Sequence, residues 1–257
     1  MRIKANLIAT QTILIKEMIR FLRIWSQTLL PAVITTGLYF VIFGRLIGTR
    51  IGDMNGFSYV QYIAPGLIMM FVITNAYANV VSSFYSAKFQ RSIEELLVSP
   101  MSNLAILLGF VMGGVARGCI VGILVTIVAL FFTHLHLQHP LLMATVLLLS
   151  AALFAMAGFI NAVFAKSFDD ISIVPTFVLT PLTYLGGVFY SIQLLPGIWQ
   201  KISLGNPILY IVNAFRYGVL GISDVSVTGA LLVMFGLTIA LFIGSLYILN
   251  KGIGMRS

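Results

Sequence analysis

The chain has 257 residues, of which 60% are apolar and only 9% charged; its formal net charge is +8 and its mean hydropathy +1.05. The few charges are clustered, and between the clusters lie apolar runs of about 20 residues or more, the length a helix rising roughly 1.5 Å per residue needs to cross the hydrocarbon of a bilayer. This excludes a soluble catalytic domain beside the spans and weakens a polyanion-binding reading of the positive charge. Backbone groups in lipid must be satisfied within their own segment, and runs this uniform do not alternate as barrel strands do, so the fold class is all-α integral membrane.

In chain order, Arg2–Trp25 reads as an amphipathic helix. Lys16, Arg20 and Arg23 recur on one face and Leu7, Leu14, Met18 and Trp25 on another. It is expected to lie along the inner leaflet with its cations near lipid phosphates, either as a plain anchor or as a coupling element. It lacks the apolar core and small-residue cleavage site of a signal peptide. Six candidate spans follow: Thr28–Ile47, Tyr59–Ser82, Leu104–Phe132, Pro140–Ala165, Ile171–Tyr190 and Thr228–Leu249. If the N-terminus is cytoplasmic, Arg2, Lys4, Lys16, Arg20, Arg23, Lys88, Arg91, Lys166, Lys251 and Arg256 fall inside. Only Arg45, Arg50, Lys201 and Arg216 fall outside, and Arg117 within a span. That bias places both termini in the cytoplasm. A single transmembrane domain is therefore expected to cover residues 1–257.

The connections differ in character. Thr49–Ser58 is a short external loop containing glycine. Residues 84–103 form an internal loop in which Lys88, Arg91, Glu94 and Glu95 alternate in sign at helical spacing, and Pro100 stops the helix. A pair such as Arg91–Glu95 can support a short surface helix there. A bare connector needs only a handful of residues, so this loop suits the transmission of force from a cytoplasmic partner, although a solvated helical loop fits the pattern as well. Residues 191–227 are too apolar for a loop. Interrupted by Pro196, Lys201, Pro207, Arg216 and Asp224, they read as helices that dip into the outer leaflet and return.

Within the spans, Gly114, Gly118 and Gly122 stand four apart, a groove for close helix packing. Arg117 beside them either lines a path and meets an anionic headgroup or is a structural arginine that pairs internally or snorkels. Pro175, Pro181 and Gly186-Gly187 break or kink the fifth span. His134, His136 and His139 lack thiolate or carboxylate companions and are expected in an ordinary external loop, with no metal. Asp169-Asp170 marks a solvated internal turn, and the single cysteine, Cys119, has no partner for a disulfide or thiolate site. The chain has no phosphate-binding Gly-x-x-x-x-Gly-Lys-[Ser/Thr] loop, no Gly-x-Ser-x-Gly elbow and no His-Glu-x-x-His site. The spans also lack acidic residues. Ion-coupled carriers usually need intramembrane carboxylates, so the energy for transport is expected from another chain. An ion-coupled carrier or channel is the alternative reading, and a lipid-directed membrane enzyme lacks a visible acid–base pair.

FSYVQYIAPGLIMM entering the second span, KFQRSIEELLVSPMSN after it, GFVMGGVARGCIVG, FDDISIVPTFVLTPLTYLGGVFYSIQLLP and NPILYIVNAFRYG together resemble the membrane permeases of type 2 ATP-binding-cassette exporters. The likeness runs over essentially the whole chain and looks closest to the small bacterial YadH-type subgroup. It implies a dimer of six-span permeases bound to two separate ATPase subunits in the bacterial cytoplasmic membrane, with ATP and Mg held by the ATPases and no cofactor on this chain. It implies further that Lys88, Arg91, Glu94, Glu95 and Pro100 sit at the ATPase contact, and that the N-terminal helix with Lys16, Arg20 and Arg23 packs beside the same partner. Re-entrant external helices would include Pro196, Trp199 and Pro207. Asn75, Asn79, Thr180 and Tyr184, with Arg117, would be candidates for the translocation path. The expected cargo is amphipathic: a lipid-linked glycan, a glycolipid or a hydrophobic drug.

Overall fold

The computed structural model describes residues 2–135 and 137–254, without the side chains of Arg2, Arg45 and Thr49. The expectations for His136 and Arg256 lie outside the described residues. The elements are α1 (Arg2–Arg23), α2 (Trp25–Gly44), the strands β1 (Asp53–Met54) and β2 (Phe57–Ser58), α3 (Tyr59–Phe89), α4 (Ser92–Val98), α5 (Asn103–Phe132), α6 (Pro140–Phe164), α7 (Asp170–Leu185), α8 (Gly197–Leu204), α9 (Pro207–Leu220) and α10 (Val227–Lys251). The chain is an all-α membrane protein apart from the small external hairpin. There Asn55 and Gly56 take φ of 51° and 83°, both in the left-handed region that a tight turn between paired strands demands.

Helix starts follow local chemistry. Ser58 and Gln61 form a reciprocal capping box on α3, the Gln61 amide donating to Ser58 Oγ (3.4 Å) and the Ser58 amide to Gln61 Oε1 (3.1 Å). Ser102, Asn206 and Ser226 cap α5, α9 and α10 with their side-chain oxygens. Pro140 and Pro207 occupy first-turn positions, where no backbone donor is needed.

Among the described residues, five helices are long and apolar enough to cross a membrane: α2, α3, α5, α6 and α10. The fifth expected span, Ile171–Tyr190, is realised as the shorter α7, which stops at Leu185. Pro175 and Pro181 remove backbone donors, the turns Pro175–Leu179 widen to a π-helix, and Gly186-Gly187 turn the chain away. From Phe40 the end of α2 loosens into π turns that carry the chain on to Ile47.

The hub is α3. Of its apolar window, 72% is buried inside the protein, against 11% for α10, whose remaining surface is left for lipid. It is flanked by α5, α6 and α9, while α1 and α2 lie against α5. A Cβ placed on Gly114 would lie 2.6 Å from Val80 Cγ2 and 2.9 Å from the Ala76 carbonyl oxygen; one on Gly118 would lie 3.1 Å from Ala76 Cβ, and one on Gly122 2.8 Å from Val72 Cγ2. The three glycines thus receive α3 itself, the packing mode in which missing side chains let backbones approach.

Candidate coupling surface and translocation groove

The charged loop after α3 folds as α4 at the end of the bundle that charge bias assigns to the cytoplasm. Arg91 makes the bend between the helices, in the left-handed region at φ 59°, and its amide donates to the Lys88 carbonyl at 3.0 Å. Ile93 is fully buried and pins α4 to the bundle, whereas Glu94, Glu95 and Pro100 are exposed. Val98 is 88% exposed, more than any other large apolar side chain among the described residues, which marks an apolar knob on a charged surface. Glu94 and Glu95 fall in the first turn of α4, where carboxylates complement the helix dipole. The Arg91–Glu95 pair does not form, because Arg91 precedes the helix instead of belonging to it. Among the described residues the one ion pair is Arg20–Glu17.

Lys88 points elsewhere. Its Nζ donates to the carbonyls of Val163 (2.6 Å) and Ala165 (3.0 Å), closing the last turn of α6 from a neighbouring helix. It is therefore a tie within the chain and stands apart from the surface formed by Glu94, Glu95 and Val98.

The α1 helix does not simply rest on lipid. Ile13 and Glu17 meet Gly109 and Gly113 of α5: a Cβ on either glycine would lie 2.6 Å from Ile13 Cβ or Glu17 Cβ. Glu17 is 1% exposed; it accepts from Ser83 Oγ, from Asn79 Nδ2 (3.4 Å) and from Arg20 Nη2 (3.0 Å). Arg20 also donates to the Asn79 carbonyl and to Asn79 Oδ1, at 3.0 and 2.9 Å. The expectation that all three α1 cations face phosphates is corrected at Arg20, which a buried carboxylate draws inward. Lys16 and Arg23 remain exposed. Further along α1, Asn6 Oδ1 accepts from the Ser102 amide (3.0 Å) and Thr10 Oγ1 donates to the Ala105 carbonyl (3.3 Å), so α1 is also fastened to the loop carrying α4.

One turn along α3 from Asn79, Asn75 Oδ1 accepts from Arg117 Nη2 at 3.0 Å, and the same nitrogen donates to the Thr28 carbonyl at 3.3 Å. Arg117 is thus held by neutral oxygens on α2 and α3. Asn75, Asn79 and Arg117 form a polar seam that joins α1, α2, α3 and α5. Thr180 and Tyr184 are separate from it. With Thr35, Tyr39, Thr74 and Thr183 they line an open groove of about 210 Å³ between α2, α3 and α7. Thr74, Thr180 and Thr183 donate their hydroxyl protons to carbonyls of their own helices, which leaves oxygen lone pairs facing the groove.

A second buried network, at the opposite end, has a faint sequence signal: Arg216 in an apolar run and Asp224 just after it. Arg216 is 1% exposed, stacks over the Tyr62 ring at 4.0 Å and donates to the carbonyls of Tyr62 (3.3 Å) and Gly187 (2.6 Å). Asp224 accepts from Ser191 Oγ (2.8 Å) and the Ile192 amide (3.1 Å). Together they clamp α9 to α3 and to the segment after α7. The signal for Glu17 is weaker still, since an acid on an amphipathic helix ordinarily reads as solvated.

A family model described as ABC-2 type transporter matches residues 8–220, a stretch that includes most of α1, the polar seam, α4 and α9. The chain belongs to the ABC-2 type transporter family. Within it, the chain is 58% identical over 250 residues to the inner membrane transport permease YadH of Escherichia coli K12, covering 97% of this chain and 98% of that one. It is 25% identical over 185 residues to nodulation protein J of Rhizobium leguminosarum bv. viciae, covering 72% and 71% of the two chains.

Proposed function

We propose that this chain is the permease subunit of an ATP-driven exporter in the bacterial inner membrane, with both termini cytoplasmic. It acts as a pair of identical copies joined to two separate ATPase subunits that hold ATP and Mg. The cargo is an amphipathic molecule, such as a lipid-linked glycan, a glycolipid or a hydrophobic drug, taken from the cytoplasm or the inner leaflet. The family membership and the name of the Escherichia coli relative support transport and the inner membrane. The observation that carries the coupling assignment is α4: a short helix anchored by Ile93, with Glu94, Glu95 and Val98 turned outward.

In this mechanism, closure of the ATPase pair pushes on α4. Because α4 continues from α3 through the bend at Arg91, and α1 is fastened to both α3 and the α4–α5 loop, the push is delivered to α3 as a rigid displacement. The groove between α2, α3 and α7 borders that same helix, so its width changes with the push. The hydroxyls along it give a polar cargo edge a succession of weak partners without a charged trap.

The test is co-purification with an ATP-binding-cassette subunit expressed from the same organism, followed by ATPase assays. A Glu94→Ala/Glu95→Ala variant is expected to lower complex yield or cargo-stimulated hydrolysis by about tenfold, as truncation of a central charged contact does. Unchanged assembly and unchanged stimulation would remove α4 from the contact.

A further inference from the structure

At the cytoplasmic ends of α3 and α6 lies a cavity of about 670 Å³, whose lining includes Tyr85, Lys88, Arg91, Val163, Phe164 and Lys166. Its three cations face it without a carboxylate among the described residues that line it. Asp170, in the adjoining turn, accepts the amides of Lys166 (2.9 Å) and Ser167 (3.1 Å) through one oxygen, Oδ2, and is not among the residues that line the cavity. Lys88 commits two donors to the Val163 and Ala165 carbonyls, and a lysine ammonium has three. The third remains for an anion. The cations are gathered from α3, from the strained bend before α4 and from the α6–α7 turn, so three separate segments converge on one space.

The surroundings identify the kind of anion. Phe89, Phe164 and Phe168 are 66%, 57% and 51% exposed at the same end, and Phe168 packs edge-on to Tyr85 (4.9 Å) and Phe89 (5.2 Å). A soluble phosphate gains nothing from bare phenyl rings. A molecule with an anionic head and acyl chains uses both the cations and the rings, at the depth where headgroup meets hydrocarbon.

We propose that this cavity is a binding site for the phosphodiester headgroup of an anionic phospholipid of the cytoplasmic leaflet, seated by Lys88, Arg91 and Lys166 with its chains along Phe89 and Phe164. The site is distinct from the groove between α2, α3 and α7, and its occupant does not depend on which cargo the protein moves. By bridging the bend at Arg91 to the end of α6, a bound lipid braces the base of α4.

The test uses the full chain purified in detergent and measured by native mass spectrometry during titration with phosphatidylglycerol or phosphatidylcholine. Wild type is expected to retain phosphatidylglycerol and not phosphatidylcholine, and an Arg91→Gln/Lys166→Gln variant to bind phosphatidylglycerol about tenfold or more weakly, since each cation at a membrane surface contributes separately. Both substituted side chains are exposed, so folding is spared, and an unchanged melting temperature without lipid checks this. Lys88→Gln, which also loosens α6, is expected to weaken retention further. Equal retention of the two lipids, or an unaltered phosphatidylglycerol titration in the double variant, would overturn the site. Displacement of the lipid by millimolar inorganic phosphate would overturn the headgroup assignment in favour of a free anion. Loss of the ATPase subunit from the double variant with lipid retention intact would reassign the cations to the protein partner.

Discussion

Replacing Glu17 by alanine would strip Ser83, Asn79 and Arg20 of a shared acceptor inside the bundle. Arg20 is 31% exposed and keeps its bonds to Asn79, so the cost is that of leaving the Ser83 hydroxyl and Asn79 Nδ2 without their acceptor inside the bundle, about 1–3 kcal/mol. The Glu17→Ala protein is therefore expected to melt earlier in detergent and to be cut faster by trypsin at Lys16 and Arg23 as α1 comes loose. Glu17→Gln, which keeps an acceptor oxygen, should fall between. This residue also shows where reading the chain stops. Its neighbours Lys16, Arg20 and Arg23 define a polar stripe, and an acid beside that stripe reads as one more solvated charge. Only Gly113, ninety-six positions later, makes the space into which Glu17 is pressed. Arg216 is different: a cation in an apolar run announces a partner, but the choice of Tyr62 and Gly187 depends on how α9 packs on α3.

At the scale of elements, length and hydropathy were enough for α2, α3, α5, α6 and α10, since the thickness of the hydrocarbon dictates both. The same criterion overestimates α7, where Pro175, Pro181 and Gly186-Gly187 shorten the helix within an apolar run. The α4 helix was legible from its alternating charges, but its start was not. The expected Arg91–Glu95 pairing assumes a continuous helix, and Arg91 adopts left-handed geometry at the join. That geometry costs a non-glycine residue roughly 1–2 kcal/mol. Arg91→Gly is accordingly expected to melt above Arg91→Ala: both lack the cation, and only glycine relieves the backbone. Equal melting temperatures would show that the bend carries no such strain.

For the molecule as a whole, the proposed pairing of two copies would set the open groove, with Thr180 and Tyr184 on its exposed rim, near the other copy. Cys119 is the only cysteine, so a Cys119→Ser background allows a clean test. With Thr180→Cys added, mild oxidation of membranes should give a covalent dimer band, whereas cysteine at Ile239 on the lipid-facing side of α10 should not. In vesicles without an ATPase subunit, the chain is expected to accumulate no cargo against a gradient. Uphill flux driven by an ion gradient would instead favour a carrier.

The docking of α1 onto Gly109 and Gly113 has a consequence for biogenesis. Those glycines lie on the third span and reach the membrane only after two others, α2 and α3, have been threaded through the insertion machinery, so α1, made much earlier, waits at the bilayer surface without its seat. Its amphipathic stripe suits that waiting state; Glu17 suits the final one. A nascent chain arrested before Asn103 should leave α1 open to protease, and one arrested well beyond Phe132 should shelter it.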